Sequence, residues 1–223
     1  MSRPRPGAGA ALLFDMDGLL LDTERPVFEV FVEEARALGL EDAESFGLSM
    51  VGLSSSICQR LLRDYLPAEI GLERFRESWD AGVRARLAGG IPLKPGVAEV
   101  LERLTGAGWS MVVVTSTRTV TARSHLGEAG LLDHFLDVVG GDAVPANKPD
   151  PAPYLIGAER AGAHSRDCLA FEDSDAGVAS ALAAGCEVHQ IPDIRPPDRP
   201  VPQRGQAVHR TLSDAVAAAG LLV

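Results

Sequence analysis

At 223 residues the chain is long enough for one mid-sized domain, or for a core domain carrying a smaller insertion. Its apolar share of 46% supports a packed core, and an aromatic share of only 5% leaves most of that packing to Ala, Val and Leu. The formal net charge of −10 weighs against nucleic acid, whose phosphates are bound through Lys and Arg, but not against a small phosphorylated ligand served by a cation or a local positive cluster.

Residues 1–9 are rich in Pro, Gly and Arg, lack an apolar h-region and read as a flexible tail. Ala10 to Phe14 is an apolar run that breaks off at Asp15-Met16-Asp17-Gly18, which reads as a buried strand entering a polar loop. From Pro26 to about Leu38 the period becomes helical, with Val27, Phe31, Ala35 and Leu38 on one face and Gly39 as a C′ stop. Ser54 reads as the cap of a helix carrying Ile57, Leu61 and Tyr65, and Leu72, Phe75, Trp79 and Val83 form another stripe. Between Pro26 and Gly90 no strand pattern stands out, so this block is expected to be all-helical.

After Pro92 the pattern alternates. Val97, Val100, Leu101 and Leu104 are helical, and Trp109 to Val114 is a β-branched strand ending at Thr115-Ser116. A helix over about 120–128 leads to a short strand, Asp137 to Val139, and a helix over Tyr154–Ala161 leads to the strand Cys168–Phe171. That strand ends at Glu172-Asp173-Ser174. A helix near Gly177–Ala184 and a strand Glu187–Ile191 follow, then irregular Pro-rich chain over 192–202 and a closing helix near Leu212–Ala219. Such alternation predicts an α/β fold, a doubly wound parallel sheet, interrupted after its first strand by an inserted all-helical subdomain. The expected division is a core of 10–24 and 91–223 around a helical insert of 25–90.

Three cysteines (Cys58, Cys168, Cys186) without CxxC spacing read as small buried apolar residues. With no secretory signal they suggest a cytoplasmic protein, and no apolar run approaches the roughly 20 residues of a membrane span. The five histidines (His125, His134, His164, His189, His209) are scattered, and none falls beside a polar strand end, so none is assigned a catalytic role.

Asp15 and Asp17, Thr115 and Ser116, Lys148, and Glu172 and Asp173 each lie at a strand end or in the loop beyond it. In an open parallel sheet all strand C-termini share one edge, where ligands bind, so these groups are expected to meet. Taken singly, each has an ordinary explanation: an Asx turn, a helix cap, an exposed lysine. Taken together they form a crowd of carboxylates. At 4 Å each like-charged pair costs roughly 1 kcal/mol in water and about 4 kcal/mol near a protein surface, so something cationic must offset it. A hard divalent ion suits oxygen ligands without nearby His or Cys, and Mg²⁺ is the natural candidate. Carboxylates, Mg²⁺, a lysine and hydroxyls are the parts needed for phosphoryl transfer.

These residues resemble the haloacid dehalogenase (HAD) superfamily over nearly the whole chain after the tail. The resemblance rests on Phe14-Asp15-Met16-Asp17-Gly18, Val114-Thr115-Ser116-Thr117, Lys148-Pro149, and Phe171-Glu172-Asp173-Ser174 with Ala176-Gly177. The helical insert is similar to the C1-type cap of phosphatases related to β-phosphoglucomutase. The resemblance implies that Asp15 is the nucleophile and that Asp17 is the acid and base, with its carbonyl on Mg²⁺. It implies that Thr115, Ser116 and Lys148 hold phosphate. Asp173 would be a metal ligand together with Asp15, and Glu172 a ligand or a residue just outside the first shell. Arg118 is expected to add positive charge nearby. Asp17 favours a phosphate ester over a carbon–halogen bond, since an alkoxide leaving group needs a proton and halide does not.

The sequence departs from the family in places. Val27 and Ser55 stand where the mutases carry a His and an Arg, which favours hydrolysis over the alternative, a phosphomutase. Asn147 replaces the usual Gly before the lysine. Ala152 replaces an Asp that often follows, a change expected to alter only a helix start. Cap residues near Asp22, Thr23, Glu24 and the loop Val51–Ser55 read either as contacts for a sugar or polyol phosphate or as ordinary caps and turns. Gln190-Ile191-Pro192-Asp193 resembles a stretch of several such phosphatases, with no role derivable from sequence. The expected partner is a small phosphorylated metabolite, with no nucleic acid and no membrane, and a monomer is the default state.

Overall fold

The computed structural model describes residues 7, 9–51, 55–195 and 198–221, residues 55 and 56 by backbone alone. The expected Ser54 cap, most of the loop 51–55 and most of the tail lie outside the described residues. The chain divides into two compact units: Met1–Asp22, Ile91–Asp193 and Val201–Val223 in one, Thr23–Gly90 and Ile194–Pro200 in the other.

The first unit is built on a six-stranded sheet. Its strands are β1 (Leu12–Phe14), β2 (Met111–Val114), β3 (Asp137–Val139), β4 (Leu169–Glu172), β5 (Glu187–Gln190) and β6 (Ala207–Val208). Every pairing is parallel and the order is β3-β2-β1-β4-β5-β6. From β1 the chain steps outward through β2 to β3, then returns to the other side of β1 for β4 to β6. The order therefore reverses at β1, and the crevice beyond the C-termini of β1 and β4 is the switch point at which such sheets bind ligands.

Alternate residues of each strand supply opposite faces. Leu12, Phe14, Met111, Val113, Leu169 and Phe171 form one core with apolar residues that include Leu101, Leu104, Leu126 and Val216. Leu13, Val112, Val114 and Ala170 form the other with Tyr154, Ala158, Val178 and Ala181. A period of two that buries both faces explains why these strands read as unbroken apolar runs rather than as alternation. Cys168 and Cys186 lie in the second core, Cys58 is half-buried, and none of the three is in a disulfide.

The second unit carries four helices among its described residues: α1 (Glu24–Ala37), α2 (Ala43–Met50), α3 (Ser55–Tyr65) and α4 (Leu72–Leu87). Their apolar faces close around Phe31, whose ring meets those of Phe46, Tyr65, Phe75 and Trp79. No helix of the described chain is long and apolar enough to cross a membrane.

The remaining helices belong to the first unit: α5 (Val97–Gly106), α6 (Thr119–Glu128), α7 (Ala152–Arg160), α8 (Asp175–Ala183) and α9 (Leu212–Ala218). At the start of α7 the Ala152 N–H donates to Asp150 Oδ1 at 2.9 Å, so Asp150 supplies a cap two residues earlier.

Candidate active site

Four loops at the C-terminal edge of the sheet carry the polar residues. β1 releases Asp15, whose N–H donates to Phe171 O at 3.0 Å, so the first loop is tied to the end of β4. Lys148 is the hub. Its Nζ donates to Asp15 Oδ1 at 2.5 Å, to Glu172 Oε1 at 2.6 Å and to Val114 O at 2.9 Å, which uses all three protons of the ammonium. One side chain thus joins the ends of β1, β2 and β4.

Glu172 is fully buried and satisfied on both oxygens. Besides Lys148, Oε1 accepts from Tyr154 Oη at 2.6 Å, while Oε2 accepts from the Ser174 N–H at 3.2 Å and its hydroxyl at 3.1 Å. Tyr154 lies on α7 with its ring 5.3 Å from Lys148 Nζ. A buried phenol needs a partner, and the charged Glu172 at the end of β4 supplies a strong one. Gly177, in the first turn of α8, leaves the space that Glu172 fills: a Cβ there would lie 1.8 Å from Oε1.

Asp17, two residues after Asp15, points at the loop after β2. Its Oδ2 accepts from the Thr117 hydroxyl at 2.7 Å and from that of Thr115 at 3.4 Å. The Thr117 N–H in turn donates to Thr115 Oγ1 at 3.1 Å. Thr115 is buried and Ser116 exposed at the same turn. Arg118 is largely exposed, with its guanidinium 3.8 Å from Asp142.

Oxygens of Asp15, Glu172 and Asp173 all lie within 4.8 Å of one another. Burial pushes the Asp15 carboxyl well above its ordinary range; Lys148 opposes this, and Glu172 and Asp17 add to it. Burial alone would lower the Lys148 ammonium, but the two carboxylates facing it reverse the effect, so it stays charged. Asp15 and Glu172 both face the Lys148 ammonium, and an oxygen of Asp173 lies within 4.8 Å of theirs. This all-oxygen set fits a hard divalent cation.

The structure therefore brings Asp15, Asp17, Thr115, Lys148, Glu172 and Asp173 to one edge. Thr117 and Tyr154 were given no role by sequence reasoning. A second hydroxyl two residues beyond Thr115 was the available sign for Thr117. For Tyr154 it was a phenol on the otherwise apolar buried face of α7.

The chain matches the model of the haloacid dehalogenase-like hydrolase family over residues 10–185. It is 31% identical to a phosphorylated carbohydrates phosphatase of Thermotoga maritima, over 82% of this chain and 87% of that one. It is 32% identical to hexitol phosphatase A of Escherichia coli, over 84% of each. A fructose-1-phosphate phosphatase of Escherichia coli is 30% identical, over 82% of this chain and 96% of that one. Among solved structures, a family hydrolase of Deinococcus radiodurans with bound phosphate and sodium superposes with a TM-score of 0.78 at 26% identity, covering 100% of this chain and 99% of that one. The chain belongs to the haloacid dehalogenase-like hydrolases, and within them it is a phosphatase.

Proposed function

We propose that this phosphatase is Mg²⁺-dependent and hydrolyses a sugar or polyol phosphate through an aspartyl-phosphate on Asp15. The observation that carries this reading is the meeting of Asp15, Glu172 and Asp173 oxygens within 4.8 Å, the first two on the Lys148 ammonium, with the Asp17 carboxyl, two residues on from Asp15, held by a hydroxyl. Asp15, Asp173 and the Asp17 carbonyl would hold the cation, which supplies charge neutralisation for the phosphoryl oxygens. Glu172, engaged on both oxygens by Lys148, Tyr154 and Ser174, serves to orient Lys148 at the margin of that set.

The chemistry then follows from the chain's own groups. A carboxylate oxygen of Asp15 attacks phosphorus as the bond to the leaving oxygen breaks, and Asp17 gives that oxygen its proton. Asp17 next takes a proton from the water that hydrolyses the acyl phosphate, which frees inorganic phosphate and restores both aspartates. The Thr115 hydroxyl and the Ser116 N–H hold the phosphoryl oxygens through both steps, and Lys148 joins them by exchanging one of its three contacts for a phosphoryl oxygen.

A carbohydrate or polyol leaving group is supported by the three phosphatases above, whose names specify phosphorylated carbohydrates, hexitols and fructose 1-phosphate. The helical unit as a cap, and a reducing cytoplasm that would keep the three cysteines out of disulfides, belong to the same proposal.

The test is phosphate release from a panel of sugar, polyol and nucleoside monophosphates, with Mg²⁺ and with EDTA. Asp15→Asn should lower turnover by about a thousandfold or more with an unchanged far-UV circular dichroism spectrum. Turnover retained in that variant would remove Asp15 as nucleophile, and release undiminished by EDTA would remove the metal.

A further inference from the structure

Asp193 follows β5 and is not among the residues assigned above. Its side chain is only 5% exposed. Oδ1 accepts a short, charged hydrogen bond from Lys94 Nζ, which also lies 3.5 Å from Asp22 Oδ1. Oδ2 is buried and has no hydrogen-bond partner among the described residues. An unsatisfied buried acceptor costs about 1–3 kcal/mol, and more when charged, so this oxygen calls for a donor.

Gly18 shows where that oxygen faces. A Cβ built on Gly18 would meet Asp173 Oδ2 at 2.6 Å and Asp193 Oδ2 at 3.3 Å. The two carboxylates therefore flank one point, immediately after Asp17 in the chain. Gly18 has φ +82°, a conformation suited to glycine, and its lack of a side chain keeps this point open. Two anionic oxygens facing one gap repel unless protons or positive charge lie between them. Lys94 does not provide this, because its ammonium sits on the opposite oxygen of Asp193.

The geometry points to Asp193 as a positioning residue for the cation: its Oδ2 accepts a hydrogen bond from a water of the hydrated Mg²⁺ held by Asp15 and Asp173. This rests on the metal-dependent reading above. Mg²⁺ bound through one or two carboxylates keeps several waters, and those waters need fixed acceptors. Lys94 then serves to orient Asp193.

The test measures Mg²⁺ binding to the full-length protein by isothermal titration calorimetry without substrate. Asp193→Asn should weaken binding by about 10- to 100-fold, the usual effect of removing an outer partner of a metal site. Lys94→Met should weaken it less and mainly lower the thermal midpoint. Affinity within about twofold of wild type in Asp193→Asn, with the two variants equally destabilised, would reduce Asp193 to an ion-pair partner of Lys94 and overturn the assignment. Asp193→Ser, small enough to admit a water, gives the same reading if the Asn variant does not fold. Binding lost in Asp173→Asn but kept in Asp193→Asn would sink this assignment alone. A wild type that binds no Mg²⁺ would sink the metal-dependent reading with it.

Discussion

Glu172 carries no solvent exposure, and its position depends on an absence. Gly177 has no side chain where a Cβ would lie 1.8 Å from one carboxylate oxygen and 2.2 Å from the other. Gly177→Ala must therefore expel Glu172 from its pocket, and Lys148 follows because its Nζ is bound to Glu172 Oε1 at 2.6 Å. We expect kcat/KM to fall by about a hundredfold, the scale of a misplacement near 1 Å, with a lower thermal midpoint. Wild-type kinetics in Gly177→Ala would mean that Lys148 keeps its place without Glu172. Asp15, Asp17, Lys148 and Asp173 were legible in sequence because each stands where an apolar strand breaks into polar chain, or in the loop beyond it. Gly177 and Thr117 have no such individual sign, because the groups they serve are set by folding. The Thr117 hydroxyl meets a carboxylate 100 residues away.

Elements with a sustained period were the easiest to read. The stripe of Leu72, Phe75, Trp79 and Val83 corresponds to α4 over Leu72–Leu87, and the five expected strands correspond to β1 to β5. β6 escaped notice because it is two exposed residues paired on one side, with no apolar run to mark it. The grouping of Ile194–Pro200 with the helical unit escaped notice for a different reason. Arg199 donates to Val51 O at 2.8 Å and Ser49 O at 3.2 Å, capping carbonyls near the end of α2 from about 150 residues away. The packing of α1 on α4 makes a sharper prediction. A Cβ on Gly82 would lie 2.6 Å from Val30 Cγ1, and Val30 is buried, β-branched and stiff within α1. Gly82→Ala gains about 1 kcal/mol of helix propensity but overpacks at a cost of about 1–3 kcal/mol. The net should be destabilising, read as a lower thermal midpoint, and Val30→Ala in the same chain should relieve it. A stabilised single variant would show that α1 and α4 shift enough to admit the added methyl.

At the scale of the whole molecule, stability should depend on pH through a histidine pair on the β5–β6 side of the sheet. His189 stacks on Phe171 with centroids 5.4 Å apart, and its Nδ1 lies 3.0 Å from His209 Nε2. Its Nε2 lies 3.2 Å from Glu187 Oε1. With both rings neutral, His189 donates to Glu187 through Nε2 and accepts from His209 at Nδ1, and every contact is satisfied. Charging His189 puts a proton on its Nδ1, so His209 must switch to the tautomer that presents a bare Nε2. Burial lowers both imidazoles below their ordinary value of 6.5, and His189 adds to the effect on His209, while Glu187 and Asp214 oppose it. The unfolded chain, titrating near 6.5, therefore binds more protons than the folded one just below that pH. The pair's contribution to stability is complete above about pH 7 and declines as the pH falls through about 6.5. Asp15 acts in the opposite sense, because its raised carboxyl binds protons in the folded state first and favours folding as the pH falls. Comparison with His189→Asn cancels that contribution, since Asp15 is common to both chains. Thermal midpoints of the wild type between pH 7.5 and 5.5 should drop more steeply than those of the variant. Parallel profiles would show that the pair titrates alike in the folded and unfolded chains.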